Sequence, residues 1–247
     1  MWNLAGKTAI ITGAGKRLGR AAAIALADAG SNVIVHYRSS REDAQNAAEE
    51  IRAKGVKAWV IQADLRSSAS IKKFTGECGK TAGKVDILVN SASIFPEGSI
   101  LDSPVEAFVE NLETNAIAPL LLARWLADQC DNGVIINFLD TRILDYDRNH
   151  VPYHISKQAL FSITRMLSDE LAPEIRVNAV APGLILPPPG KTDEYLKELA
   201  HTNPLQRWGS EIDISQAVLY LIKADFVTGQ VLYIDGGRHI KGRFYGS

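Results

Sequence analysis

The stretch that decides the fold runs Lys7-Thr8-Ala9-Ile10-Ile11-Thr12-Gly13-Ala14-Gly15-Lys16-Arg17-Leu18-Gly19. A short apolar run with several β-branched residues leads into closely spaced glycines, and an alanine-rich segment follows over residues 17–29. β-Branched runs favour strands, glycines favour tight turns, and alanines favour helices. The stretch therefore predicts a strand, a glycine-rich turn and a helix, in that order.

The same succession of strand and helix recurs along the whole chain. Strands are predicted at 7–12, 32–37, 57–61, 85–90, 133–138, 175–180 and 230–234. Helices are predicted at 17–29, 41–54, 67–82, 103–130 (with an interruption near Pro119), 152–172 and 211–223. Apolar strands that alternate with helices indicate a buried parallel sheet. We predict an α/β fold: a single doubly wound (Rossmann) domain over residues 1–247, with a seven-stranded parallel sheet flanked by helices.

Composition argues against several classes of function. The chain of 247 residues carries 27 basic and 28 acidic side chains, so nothing favours binding to nucleic acid or to a membrane surface. No apolar run reaches the roughly 18 residues of a membrane span. The two cysteines and five histidines are scattered, and we expect no metal site. The first residues lack the pattern of a secretory signal, so we expect a cytoplasmic protein.

The glycine-rich turn predicts a phosphate-binding site. Gly13, Gly15 and Gly19 lie between the first strand and the first helix. Glycines let backbone approach a pyrophosphate, and the helix N-terminus offers free N–H groups. The spacing T-G-x-x-x-G-x-G fits if its middle glycine is replaced by Arg17. A glycine-rich turn without a ligand is the alternative.

The end of the second strand bears on the choice of cofactor. It reads His36-Tyr37-Arg38-Ser39-Ser40, and no acidic residue that would bind a ribose 2′-hydroxyl appears before Glu42. Arg38, with the serines and Arg17, suits a 2′-phosphate, because guanidinium groups bind phosphate through a forked pair of hydrogen bonds. We therefore predict NADPH rather than NADH. A solvated arginine at a helix start is the alternative.

Small or polar residues also follow the later strands, where ligands bind in such folds. The predicted cofactor-binding residues are Gly13, Arg17, Leu18, Gly19, His36, Tyr37, Arg38, Ser39, Asp64, Leu65, Asn90, Ser91, Ala92, Tyr153, Lys157, Pro182, Gly183 and Leu184.

Tyr153 and Lys157 are four residues apart, and therefore lie on one face of a helix. An ammonium group beside a phenol favours the phenolate, so we expect the pKa of Tyr153 to be lowered. Such a phenol can exchange a proton with a reacting atom. A tyrosine packed at a helix start beside a solvated lysine is the alternative.

Taken in order, these motifs resemble the short-chain dehydrogenase/reductase family over essentially the whole chain. The matching residues are the turn at 12–19, Asp64-Leu65, Asn90-Ser91-Ala92, Asn115, Tyr153, Lys157, Asn178, Pro182-Gly183 and Asp235-Gly236-Gly237. The resemblance implies an NAD(P)-dependent oxidoreductase. It makes Tyr153 the proton donor and has Lys157 bind the nicotinamide ribose and lower the Tyr153 pKa. It has Asn115 hold a water in a proton relay.

Two departures from the family pattern resemble its pteridine reductase branch: Asp140 stands where the family has a serine, and Arg17 replaces a glycine. Further stretches that resemble the branch are Lys16-Arg17-Leu18-Gly19, His36-Tyr37-Arg38-Ser39-Ser40, Asn90-Ser91-Ala92-Ser93-Ile94-Phe95, Asn115-Ala116-Ile117-Ala118-Pro119 and Pro204-Leu205-Gln206-Arg207. The branch implies NADPH-dependent reduction of a pterin-like substrate. We expect Phe95 to cover one face of the pterin, Ser93 and Arg17 to bind its polar edge, and Asp140 with Tyr153 to supply the proton. Such a role for Asp140 requires that partial burial raise its pKa.

Other expectations remain open. Residues 184–203 are expected to form a substrate loop stiffened by Pro187-Pro188-Pro189, and the basic tail at 238–247 is either solvated or reaches a neighbouring subunit. The family implies a homotetramer built on residues 103–130 and 152–172, which Leu160, Phe161 and Leu167 permit. The competing functions are a carbonyl reductase related to 3-oxoacyl-carrier-protein reductase and a non-catalytic NADP-binding sensor.

Overall fold

The protein, seen in a computed structural model that describes residues 2–188 and 190–241, contains one seven-stranded parallel sheet with helices on both faces. The strands are β1 Thr8–Ile11, β2 Asn32–Tyr37, β3 Ala58–Gln62, β4 Ile87–Asn90, β5 Gly133–Phe138, β6 Ile175–Pro182 and β7 Val231–Ile234. The helices are α1 Arg17–Asp28, α2 Arg41–Ala53, α3 Ser68–Ala82, α4 Val105–Leu112, α5 Ala118–Gln129, α6 Val151–Glu170, α7 Asp193–Leu199 and α8 Glu211–Lys223. The predicted fold class is confirmed.

The strand order β3-β2-β1-β4-β5-β6-β7 positions the site. The chain builds outward from β1 to β3, then returns and builds outward on the other side from β4. A crevice opens where the order reverses, beyond the carboxyl ends of β1 and β4. Parallel pairing of Ile11 with Val89 and of Asn90 with Asn137 brings the ends of β1, β4 and β5 to one edge.

Successive residues along a strand point to opposite faces of the sheet and pack into two separate hydrophobic layers. Ala9 and Ile11 pack towards α1, α2 and α8, whereas Ile10 packs towards α3 and α5. Both faces of the sheet are thus covered, which explains why the strands are apolar at nearly every position. No helix in the described part of the chain combines the length and apolar character needed to cross a bilayer.

The helical zone at 103–130 is interrupted slightly earlier than predicted. A π-helical turn at Glu113–Ile117 separates α4 from α5, and Pro119 lies in the first turn of α5. Pro119 has no N–H, so the carbonyl of Asn115 lacks its ordinary donor four residues later. The π-helical turn places Asn115 itself inside the irregular segment.

The expected loop at 184–203 contains a helix that the sequence did not indicate. α7 is polar except for a few positions, and Leu196 is its one buried residue, so it has no apolar period to detect. Two predictions lie partly outside the described residues: Pro189 of the triple proline, and the tail beyond Lys241.

The residues named for a subunit interface also need correction. Leu160 and Leu167 are buried inside the subunit. The exposed apolar side chains on α4, the following π-helical turn and α6 are instead Val105, Val109, Ile117 and Met166. A tetramer built on these elements stays a prediction.

Candidate active site

The glycine turn folds tightly against its neighbours. Gly13 has a φ of +68°, and a Cβ there would lie 3.1 Å from the Ala92 Cα atom. A Cβ on Gly19 would lie 2.5 Å from the carbonyl oxygen of Gly13. Arg17, at the place of the missing glycine, has a φ of 53°, which costs a non-glycine residue about 1–2 kcal/mol. The backbone therefore keeps the shape of the glycine turn, while an exposed guanidinium is added to it.

Thr12 joins this turn to the loop after β4. Its hydroxyl oxygen accepts hydrogen bonds from the backbone N–H groups of Ser91 at 3.0 Å and Ala92 at 2.9 Å. Thr12 belongs to the glycine-turn motif but is not among the predicted cofactor-binding residues. Its position at the very end of a strand, before the glycine, was the available signal.

His36 requires a correction, because it lies beneath the turn instead of facing a cofactor. The Gly13 N–H donates to Nδ1 of His36 at 3.1 Å, so Nε2 carries the hydrogen and donates to the Ala63 carbonyl at 3.2 Å. The ring is 2% exposed, and burial lowers the pKa of His36 to about 4. Both ring nitrogens are therefore bonded within the protein, and neither is left to hydrogen-bond a cofactor.

A cavity of about 630 Å³ lies beside the ends of β2 and β3, where the 2′-phosphate was predicted. Arg38 lines it, and Ser39 is exposed next to it. The guanidinium groups of Arg17 and Arg38 form no hydrogen bond or ion pair with any described residue. Tyr37 also lines this cavity, although it is largely buried in the core.

Asp64 forms an ion pair with Arg66, which is not among the predicted site residues. The Arg66 guanidinium donates to both Asp64 oxygens and also to Glu110 on α4. This pairing lowers the pKa of Asp64 to about 2, so the carboxylate stays ionised. Leu65 is buried beside it. A charged pair two residues apart was the signal in the sequence.

These groups fit a dinucleotide with an extra phosphate. The first turn of α1 has no acidic side chain and no side-chain cap, so its N–H groups are free for an anion. Gly13 and Gly19 let the turn pack closely against Ala92 and against itself, which keeps the turn compact beside the N-terminus of α1. Arg17 and Arg38 supply the positive charge that a 2′-phosphate requires.

Tyr153, Asp140 and Lys157 lie together at the ends of β5 and α6. The Tyr153 hydroxyl donates to Oδ2 of Asp140 at 3.1 Å, and the Arg142 N–H donates to Oδ1 at 2.7 Å. The Lys157 ammonium lies 5.6 Å from the centre of the Tyr153 ring and donates to the Phe138 carbonyl at 2.6 Å. Within the described chain that is its one hydrogen bond, which leaves two N–H donors.

The prediction that Lys157 lowers the pKa of Tyr153 is wrong for this structure. Burial raises the pKa of Tyr153 well above its usual value, and the nearby charge of Asp140 raises it further. Burial also lowers the pKa of Lys157 to about 8, against the attraction of Asp140. A buried phenol that donates to a carboxylate holds its proton, and the more distant ammonium does not reverse this effect.

Asn115 uses its whole side chain to hold the neighbouring loop. Its Oδ1 accepts from the Ser93 hydroxyl at 3.0 Å and from the Ile94 N–H at 2.9 Å. Its Nδ2 donates to the Ile94 carbonyl and to the Ser156 hydroxyl. The amide is therefore saturated, and a water held by this residue must bind its backbone carbonyl instead.

The other predicted residues fall on the same edge of the sheet. Asn90 is buried and donates to Asn137 at 2.8 Å, while its own Oδ1 has no partner within the described residues. The Gly183 N–H donates to the Ile234 carbonyl, and the Pro182 carbonyl accepts from Thr141. Leu18 is partly buried and packs against the core, and Leu184 is buried.

Asp235, directly after β7, supports the loop that carries Asp140 and Thr141. Its Oδ2 accepts from the Thr141 hydroxyl at 2.5 Å and from the His239 backbone and ring, and these bonds lower its pKa despite burial. Thr141 directly follows Asp140, so β7 positions that carboxylate. The Asp-Gly-Gly motif indicated that this segment is important, but not what it contacts.

Phe95 lies beside Tyr153, as the pterin hypothesis requires. The two rings meet edge to face, with centroids 4.6 Å apart and an angle of 86°. Phe95 also stacks on His150, a contact that the sequence argument did not foresee.

Comparisons with known proteins identify the family to which the chain belongs. The family model described as Enoyl-(Acyl carrier protein) reductase matches residues 13–239. The 3-oxoacyl-[acyl-carrier-protein] reductase FabG of Staphylococcus epidermidis is 31% identical over 242 residues, covering 95% of this chain and 99% of FabG. Like this chain, it is matched along nearly its whole length.

Two solved structures with bound NADP share this fold. FolM Alternative dihydrofolate reductase 1 from Brucella canis, complexed with NADP, superposes with a TM-score of 0.91 at 29% identity, covering 99% of this chain and 98% of that one. The angucycline C-6 ketoreductase LanV with bound NADP superposes with a TM-score of 0.90 at 29% identity, covering 96% and 97%. The chain is therefore a member of the short-chain dehydrogenase/reductase family of oxidoreductases.

Proposed function

We propose that this oxidoreductase uses NADPH to reduce a pterin, with a dihydropterin or a dihydrofolate-like compound as substrate. The observation that carries the proposal is the hydrogen bond from Tyr153 to Asp140. The likeness to FolM, a dihydrofolate reductase by its description, supports it.

The chain's own residues account for the choice of cofactor. Gly13 and Gly19 admit the pyrophosphate, while Arg17, Arg38 and Ser39 hold the 2′-phosphate. Lys157 has two free donors for a ribose. When bound, NADPH supplies the hydride. The complexes of FolM and LanV with NADP support the same choice.

The proton comes from Tyr153. Its raised pKa keeps the hydroxyl protonated at neutral pH, so it can donate to the nitrogen of a C=N bond as that bond is reduced. Asp140 accepts from the same hydroxyl and replaces the proton when it is itself protonated. Lys157, close to the ring, stabilises the phenolate that donation leaves behind.

Asp140 also bears on the class of substrate. A serine hydroxyl at this position would donate a hydrogen bond to a carbonyl oxygen, whereas an ionised carboxylate can only accept one. A carboxylate repels the negative charge that develops on a reduced carbonyl oxygen, but it stabilises a protonated nitrogen. The C=N bond of a pterin therefore suits this site better than a ketone does.

A carbonyl reductase is the second candidate, because FabG and LanV both act on keto groups according to their names. It requires that Asp140 be protonated when the substrate binds, so that the carboxyl group donates as serine would.

The test is NADPH oxidation with dihydrobiopterin and dihydrofolate, compared with an acetoacetyl thioester. We expect turnover of a pterin, and a loss of about 10²- to 10⁴-fold in kcat for Tyr153→Phe, the usual range for a general acid. Asp140→Ser should lower the rate with the pterin more than the rate with the thioester. Turnover of the thioester alone would contradict the proposal. Binding of NADPH without turnover of either substrate would favour a non-catalytic NADP-binding sensor.

A further inference from the structure

The ring of Phe95 is supported on one face and open on the other. The imidazole of His150 stacks on it with centroids 3.9 Å apart and an angle of 9°. Tyr153 meets it edge to face. Phe95 nevertheless remains 45% exposed, so the face turned away from His150 is accessible. A flat ring can therefore stack on Phe95 without displacing His150.

Asp147 holds the histidine in this position. Its pKa is lowered to about 2 by hydrogen bonds from two histidines that outweigh its burial, so the carboxylate is ionised and can only accept. Nδ1–H of His150 donates to Oδ1 at 2.9 Å, and Nε2–H of His154 donates to Oδ2 at 3.1 Å. Arg142 lies 3.3 Å from the same carboxylate. Asp147 thus holds two rings: His150, which stacks on Phe95, and His154, which meets Tyr153 edge to face.

The backbone brings these groups together from two separate loops. Phe95 follows β4, and His150 precedes α6. The Gly98 N–H donates to the Asn149 carbonyl at 2.6 Å, and the Val151 N–H donates to the Gly98 carbonyl at 2.9 Å. These two bonds form an isolated bridge between the loops, so the stacked rings are linked by backbone as well as by side chains.

We infer that His150 and Asp147 are specificity-determining positioning residues, which hold Phe95 as the stacking platform for a flat heteroaromatic substrate. The inference rests on the proposed function, because it assigns the pterin ring to the open face of Phe95. Stacking on a fixed ring needs less ordering of the free protein than stacking on a mobile one. Asp147 acts on the platform through His150, and its charge also makes a smaller contribution to the raised pKa of Tyr153.

A purely structural role for the same cluster makes different predictions. If Asp147 and His150 only closed the loop, their loss would affect every substrate alike. If they position a platform, their loss should affect the KM of a flat substrate more than kcat. The variant His150→Phe separates the two roles, since it keeps a stacking ring but cannot bond to Asp147.

The kinetic experiment compares Asp147→Asn, His150→Ala and His150→Phe on dihydrobiopterin with NADPH. We expect KM to rise about three- to tenfold in the first two variants, the range of one aromatic pair, with kcat changed less than KM. His150→Phe should recover only part of the KM lost in His150→Ala, because it restores the stacking ring but not the bond to Asp147. Asp145→Asn is the matched control, because Asp145 lies in the same loop and bonds to the Tyr146 N–H but to no histidine. Equal changes in kcat and KM, or a His150→Phe variant as impaired as His150→Ala, would overturn the inference.

A second measurement does not depend on turnover. The imidazole of His150 stacks on the Phe95 ring, so the NMR signals of its carbon-bound protons should carry a ring-current shift that Phe95→Leu removes and Asp147→Asn reduces. Addition of dihydrobiopterin should perturb the Phe95 ring signals in wild type. If wild type binds the pterin in this way but does not turn it over, the proposed function fails and the platform stands. If the ring-current shift is absent from wild type, the platform itself is refuted.

Discussion

Asp140 changes the chemistry open to the neighbouring tyrosine. Both of its oxygens accept hydrogen bonds, one of them from Tyr153. Burial and this carboxylate raise the pKa of Tyr153, while burial lowers that of Lys157 to about 8. At neutral pH the Tyr153 phenol therefore keeps its proton, which the proposed reduction requires of a proton donor.

Arg38 gives a prediction about cofactor choice. In Arg38→Ala, we expect the Kd for NADPH to rise about ten- to a hundredfold, because a charged hydrogen bond to phosphate contributes about 1.5–3 kcal/mol. The Kd for NADH should change little, since NADH has no 2′-phosphate. Titration by fluorescence of both nucleotides measures this. Arg124→Ala, at an exposed position on α5, is the control for loss of one charge. An equal loss of affinity for both nucleotides would remove the 2′-phosphate argument.

At the scale of elements, the segment from β1 through the glycine turn to α1 is held in place from two sides. His36 on β2 lies beneath the turn and accepts a hydrogen bond from the Gly13 N–H. The Thr12 hydroxyl joins the turn to the loop after β4. The turn is therefore set by contacts with β2 and with the loop after β4, and not by its glycines alone. Each of these contacts joins residues more than twenty positions apart in sequence.

The two glycines at 19 and 76 make a matched pair of tests. A Cβ on Gly19 would meet the backbone oxygen of Gly13, which cannot move without opening the turn. We expect Gly19→Ala to weaken NADPH binding by about tenfold or more and to destabilise the fold by about 1–3 kcal/mol, as for other overpacked sites. Calorimetric titration and urea unfolding measure the two effects.

Gly76 on α3 serves as the control, because a Cβ there has no neighbour within 4 Å. Gly76→Ala should raise the free energy of unfolding by about 0.5–1 kcal/mol and leave NADPH binding unchanged. If Gly19→Ala bound NADPH as tightly as wild type, the close approach would not be part of the phosphate site.

At the scale of the molecule, the sheet order gathers the site. Residues from the ends of β1, β2, β4, β5, β6 and β7 reach one edge because all seven strands run in the same direction. Buried polar groups join them there, among them the Asn90–Asn137 pair and the Asp235–Thr141 pair. The stability of the fold and the geometry of the site therefore depend on the same contacts.

The buried neutral His36 predicts a pH dependence of global stability. Its pKa is about 4 in the folded protein, below the ordinary value of 6.5, so the unfolded chain binds a proton first as the pH falls. Stability from this residue is complete above about pH 6.5 and is lost between there and pH 4, by up to about 3 kcal/mol. Urea unfolding at a series of pH values measures the loss.

The variant His36→Asn isolates this contribution, since asparagine does not titrate. Its free energy of unfolding should lie below that of wild type at pH 7, because a smaller side chain leaves a cavity, and the gap should narrow towards pH 4.5. The exposed His201→Asn is the control and should follow wild type. Parallel curves for wild type and His36→Asn would contradict the buried, neutral state.

Much of the fold could be predicted from local patterns in the sequence. The strands at 32–37 and 133–138 and the helix at 211–223 match their predicted ranges, because each is a continuous apolar run or an amphipathic period with clear ends. α7 was missed because it has one buried residue and follows a proline run. Asp147 was missed because a single charged residue in a loop shows no pattern until its partners are known.

The sequence by itself determined the fold class, the family and the candidate residues Tyr153, Lys157 and Asp140, because apolar period, glycine spacing and strand ends are local properties of the chain. Only the tertiary structure decided what those residues contact. It turned His36 beneath the turn, saturated the Asn115 amide and raised the pKa of Tyr153 instead of lowering it. Burial and charge at a site depend on groups distant in sequence, and a pKa follows those groups and not the spacing that first identifies the residue.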